Sequence, residues 1–138
     1  MGILKERFKE KAEASAAEIK DLLKQHGSKK IGEVQLSQIY QGMRGITGLV
    51  SETSLLDSKE GIRFRGYSIP ELQEKLPKAN GGNEPLPEGL FYLMLIGELP
   101  TDEDAAYITS SWQRRSHVPN HVFAAIDAFP ITAHPITM

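Results

Sequence analysis

The stretch Gly42-Met43-Arg44-Gly45 joins a strong hydrogen-bonding group to a backbone that can bring it close to a ligand. Glycines on both sides let the chain turn tightly, and a guanidinium presents a fixed fork of donors suited to phosphate or carboxylate. An anion site at Arg44 is one reading of that pattern; a turn whose arginine makes a structural ion pair is the other. Arg63 and Arg65 alternate along Ile62 to Arg65 and project to one face. There they either add to the same positive field or are simply solvated, as arginines on a wet strand face usually are.

The histidines are His26, His117, His121 and His134. His117 and His121 have the four-residue spacing of a helical zinc pair, but Pro119 between them disfavours one shared helical face, so no metal site is expected. His26 suits a helix C-terminus and His134 a turn before Pro135. No nucleophile elbow, phosphate-cradling glycine loop or dinucleotide fingerprint occurs. The carboxylates read as charged-face or capping residues rather than as a general base. No catalytic residue is assigned.

Bulk properties narrow the function further. A formal charge of -2 from a near-even mixture of acids and bases gives no field to recruit nucleic acid or an anionic membrane. The densest apolar run, Leu90 to Ile96, is far below the roughly 20 residues of a membrane span. Without cysteine there is no disulfide, thiolate nucleophile or cysteine-based zinc site, which fits a reducing compartment. Met1 to Glu10 mixes Lys and Arg with Glu, unlike a secretory signal or an acid-poor transit peptide. Because Met1 leads straight into the first helix, a bacterial cytoplasm is preferred over the mitochondrial matrix. A chain of 138 residues is long enough for one domain, which at that size typically hides about two-thirds of its unfolded surface.

Several elements must position these residues. Leu4, Phe8, Ala12, Ala16, Ile19 and Leu23 recur at helical spacing, predicting an amphipathic helix that stops at Gly27 in a left-handed cap. Its stripe must lie against the rest of the domain or a partner subunit. Ile31 to Leu36 reads as a strand, and Leu49 to Leu56 with Ile62 to Arg65 as a hairpin closed by Asp57 to Gly61. Ser68 with Glu71 is a capping box opening a helix that Pro77 ends. Pro77 to Pro87 is a loop within one domain, 1–138. Pro87 opens an all-round apolar helix closed by Gly97, which needs cover on every side. Thr101 with Asp104 starts another helix, Pro119 a further one, and His134-Pro135 one more, barely begun at Met138. The sum is a mainly α chain with a small β-hairpin after the first helix.

Taken together, several segments resemble one family. Gly42-Met43-Arg44-Gly45, Glu52-Thr53-Ser54-Leu55-Leu56-Asp57, the run from Glu60 to Glu71 and Glu84-Pro85-Leu86-Pro87-Glu88-Gly89-Leu90 are similar to citrate synthases of the mitochondrial type. Leu99-Pro100-Thr101 and His134-Pro135 fall in the same order. Gln41 stands where glycine is common, and Ile136 where methionine usually follows His-Pro. The resemblance implies a helical, two-domain homodimer that condenses acetyl-CoA with oxaloacetate to citrate and CoA, with no tightly bound cofactor. This chain would begin the large domain of such an enzyme, and the remainder of the polypeptide would be its partner. By the motif, Arg44 matches the family arginine that contacts CoA phosphate groups. The catalytic histidines and aspartate of the family lie in later segments, so the isolated chain is expected to be inactive. The alternative is a non-catalytic binding or assembly module that uses the same fold.

Overall fold

The computed structural model describes residues 2–134 and 136. Among them run six helices and one small antiparallel sheet. The first helix, α1 (Ile3–His26), carries the predicted stripe, and its first third packs on the body, while Glu52 lies beside Ser15, Glu18, Ile19 and Leu22 further along. Leu4 packs on Tyr92, Ile96 and Ile108. One turn on, Arg7 Nη1 donates to the Tyr92 hydroxyl and to Asp104, and Lys11 pairs with Glu98. Ile19 and Leu23 stay exposed. Gly27 follows the helix with φ -61°, not in a left-handed cap. A Cβ there would run into the Leu23 carbonyl oxygen, so glycine is required for close approach rather than for handedness.

Ile31 to Leu36 does not form the expected strand. No neighbouring strand offers it a ladder, and Gln35 instead opens the short helix α2 (Leu36–Tyr40), where the Gln35 and Gln38 side chains cap each other's backbone. The first predicted arm of the hairpin is likewise shorter than Leu49 to Leu56. Strand β1 (Ser54–Asp57) pairs antiparallel with β2 (Gly61–Phe64), with Ser54 opposite Phe64 and Asp57 opposite Gly61. The Asp57 carboxylate accepts the N–H groups of Lys59 and Glu60 at 2.7 and 2.9 Å, which fixes the loop and holds its pKa below the ordinary value.

A third strand, β3 (Tyr67–Ser68), adds to β2 through the two-residue turn Arg65-Gly66. Both turn residues have positive φ, 47° and 87°, which matches the twist a two-residue hairpin needs. The sheet lays Phe64 and Tyr67 on a core of Leu72, Leu76 and Leu93.

Helix α3 (Ile69–Lys75) begins at the predicted capping box. Ser68 Oγ accepts from the Glu71 N–H, and Glu71 accepts from the Ser68 N–H at 2.8 Å. The loop after Pro77 doubles back, with Lys78 bridged to Pro85 and the Leu86 N–H donating to the Pro77 carbonyl. Helix α4 (Pro87–Ile96) then forms the centre of the fold. It buries Glu88, Gly89, Tyr92, Leu93 and Ile96, and Gly97 closes it in the left-handed conformation at φ 85°. Helix α5 (Asp102–Gln113) starts at the Thr101 and Asp104 capping box and buries Ala105 and Ile108 against α4. Helix α6 (Asn120–Asp127) buries nothing. The expected helix start at His134-Pro135 falls partly outside the described residues.

The chain exposes 11629 Å². A compact protein of its 15.3 kDa would expose about 7,100 Å² by the area–mass relation, so roughly half of the unfolded surface is hidden rather than two-thirds. No helix of the described residues is long and apolar enough to cross a membrane.

Candidate functional site

Helix α2 leads directly into the Gly-Met-Arg-Gly turn, and Gln38 ties the two together. Its Oε1 accepts the Gln35 N–H at 2.9 Å, and its Nε2 lies 3.5 Å from the carbonyl oxygens of Arg44 and Gly45. The Gln38 carbonyl accepts the Met43 N–H at 2.8 Å. Gly42, Met43 and Gly45 have φ of 72°, 61° and 72°. Three left-handed residues within four make a tight reversal, and Met43 bears the strain that glycine would avoid. Arg44 is exposed at its crest and makes no ion pair among the described residues. What this arrangement can do is present one exposed guanidinium to an anion.

Arg63 and Arg65 do not join Arg44. Arg63 donates to Glu60 at 3.1 Å and to the Gly66 carbonyl at 3.1 Å, and lies 3.8 Å from Glu71. Arg65 points inward: Nε and Nη2 donate to the Met94 carbonyl at 3.2 and 2.8 Å. A cation on the last carbonyls of a helix compensates the negative end of its dipole, so Arg65 acts as a tertiary cap for α4. The expectation that both arginines lie on a wet strand face fails because Arg65 sits in the turn after β2, where positive φ swings it towards the helix.

A second residue missed in the sequence is Glu88. Its carboxylate is buried between α4 and α5, where Oε1 accepts the Thr109 hydroxyl at 3.0 Å and Oε2 has no partner among the described residues. Its position beside Pro87 in the first turn of α4 reads as an ordinary helix-opening acid. Only the neighbouring helix reveals its burial. An open hollow of about 560 Å³ lies nearby, lined by Pro77, Lys78, Asn80, Asp102, Thr109 and Gln113 and not by Arg44.

The histidines stay apart in role and place. His26 ends α1, His117 and His121 are exposed on either side of Pro119, and His134 Nδ1 accepts the Ile136 N–H at 3.2 Å. Among the described residues no three acidic or histidine side chains gather as a metal site would require.

These features define the chain as a mainly helical piece with a small antiparallel sheet and one exposed arginine turn. A sequence profile described as "Citrate synthase, C-terminal domain" matches residues 42–138. The chain belongs to the citrate synthase family. It is 54% identical over 134 residues to "Citrate synthase, mitochondrial" of Aspergillus niger, covering 97% of this chain and 28% of that protein. The protein of the same name from Xiphias gladius is 52% identical over 119 residues, covering 86% of this chain and 25% of that protein. "2-methylcitrate synthase, mitochondrial" of Yarrowia lipolytica is 54% identical over 133 residues, covering 96% of this chain and 29% of that protein. The chain therefore spans between a quarter and a third of the length of these relatives. All three are mitochondrial by name and come from eukaryotes, which corrects the preference for a bacterial cytoplasm. That preference rested on where the numbering begins, which carries no information about a compartment.

Proposed function

We propose that this chain is the N-terminal part of the large domain of a citrate synthase, acting in the mitochondrial matrix, and that Arg44 contacts phosphate groups of CoA. The whole enzyme is a homodimer condensing acetyl-CoA with oxaloacetate to citrate and CoA. The observation that carries this reading is the 54% identity over 97% of the chain to a protein named for that activity. Equal identity to a relative named 2-methylcitrate synthase means that this stretch is shared by proteins named for different products.

The condensation needs a carboxylate to remove a weakly acidic methyl proton, an imidazole to stabilise the resulting enolate, and cationic groups to polarise the keto acid. His26, His117 and His121 lie exposed at helix ends or in linking turns, and none is set beside a buried carboxylate. The role left to this chain is to build the scaffold and to offer Arg44. An exposed arginine on a strained, glycine-flanked turn, with no ion pair among the described residues, supports that role. The excess exposed surface also favours a piece of a larger enzyme over a stand-alone module.

Two measurements test the proposal. The purified chain is expected to release no CoA thiol from acetyl-CoA and oxaloacetate; turnover that follows the chain through purification would overturn it. In calorimetric titration with CoA, Arg44→Ala is expected to weaken binding about tenfold, the value of one charge-assisted contact. Equal binding by both forms would remove Arg44 from the site.

A further inference from the structure

The side-chain amide of Gln38 bonds in two directions, and the start of α2 accounts for only one of them. There Oε1 accepts the Gln35 N–H at 2.9 Å, a capping task that a glutamate would perform as well. What a carboxylate lacks is a donor. Nε2 is that donor, and it faces the carbonyl oxygens of Arg44 and Gly45 at 3.5 Å each, in a three-centre contact. The main chain of the same residue grips the turn ahead of Arg44, where its carbonyl accepts the Met43 N–H at 2.8 Å. Residue 38 therefore holds the chain on both sides of the Arg44 Cα.

This turn needs holding. Gly42, Met43 and Gly45 all have positive φ, and for Met43, at 61°, that conformation is disfavoured, so the reversal persists only where its surroundings fix it. Met43 and Arg44 are exposed, which leaves the task to hydrogen bonds rather than to packing, and Gln38 is half-buried beneath them in sequence order at the end of α2.

We propose that Gln38 is the positioning residue for Arg44: by fixing the turn it fixes where the guanidinium stands before an anion arrives. This role deepens the reading of Arg44 as a CoA phosphate contact and rests on it. Ordering one long side chain in advance removes a cost of binding equivalent to about two- to tenfold in affinity.

Steady-state kinetics of the complete enzyme, with acetyl-CoA and oxaloacetate varied in turn, test the role. Gln38→Ala is expected to raise KM for acetyl-CoA about fivefold, while kcat and KM for oxaloacetate change less than about twofold. Gln38→Glu keeps the α2 cap but loses the donor, and should raise KM for acetyl-CoA at least as much. In an Arg44→Ala background Gln38→Ala should add nothing, because the group it positions has gone. Far-UV circular dichroism and thermal melting check that each variant folds as the parent does. An unchanged KM for acetyl-CoA in Arg44→Ala overturns both the CoA reading and the role of Gln38. With Arg44→Ala impaired, three results overturn the role of Gln38 alone: a normal KM in Gln38→Glu, a Gln38→Ala loss that persists without Arg44, or a loss spread equally over kcat and both substrates.

Discussion

At the scale of single residues, conformation rather than residue type separates the arginines. Arg44 stands at the crest of a reversal and is solvated, whereas Arg65 is turned by φ 47° onto the Met94 carbonyl. Removing Arg65 leaves that carbonyl without its charged donor, so Arg65→Ala is expected to cost about 2 kcal/mol in chemical denaturation. Arg65→Gly should cost about 1 kcal/mol less than the alanine variant, since glycine takes positive φ without strain. An equal loss for both would show that the turn is not strained. The Gly-Met-Arg-Gly signal was legible in the sequence because glycine marks positive φ directly. The inward course of Arg65 was not, since a strand ending one residue earlier reverses which way a side chain points. Nor was the burial of Glu88, which depends on where Thr109 of another helix comes to lie.

At the scale of elements, local chemistry sets where helices start. Both predicted capping boxes form, at Ser68 and at Thr101. Thr101→Ala removes the oxygen that accepts the Asp104 N–H at 3.2 Å and should cost about 1 kcal/mol, read as a lower denaturation midpoint. The acids of these boxes also predict the response to pH. Glu71 is held below its ordinary pKa by the Ser68 N–H and hydroxyl. For Asp104, burial pushes upward, but the Thr101 N–H and hydroxyl and the Arg7 guanidinium outweigh it and lower the value. Such groups contribute stability in full above their unfolded pKa values and lose it as pH falls through the lower folded values. Stability should therefore fall below about pH 4, and Asp104→Asn should make that fall shallower in acid titrations followed by circular dichroism. The strand expected at Ile31 to Leu36 shows the opposite case: alternation alone makes no strand without a partner, and a capping box one residue before Leu36 prevails.

At the scale of the whole molecule, the described core is small. Two clusters centred on Leu93 and on Tyr92, Ile96 and Ile108 hold α3, α4, α5 and the start of α1 together. Because only about half of the unfolded surface is hidden, urea unfolding of the monomeric chain should show a slope below that usual for a compact protein of its size. A slope in the usual range would indicate that more surface is covered in solution than in the single copy. The sequence by itself determined the starts of α3, α4 and α5, the glycine-flanked turn at Arg44, the family and the all-round apolar character of α4. Each of these depends on neighbours in sequence or on side-chain type. Tertiary structure alone decided that Arg65 caps a helix, that Glu88 is buried and that Ile19 and Leu23 of α1 stay exposed. Those outcomes depend on which elements meet, and contacts between residues far apart in the chain leave no local mark in its order.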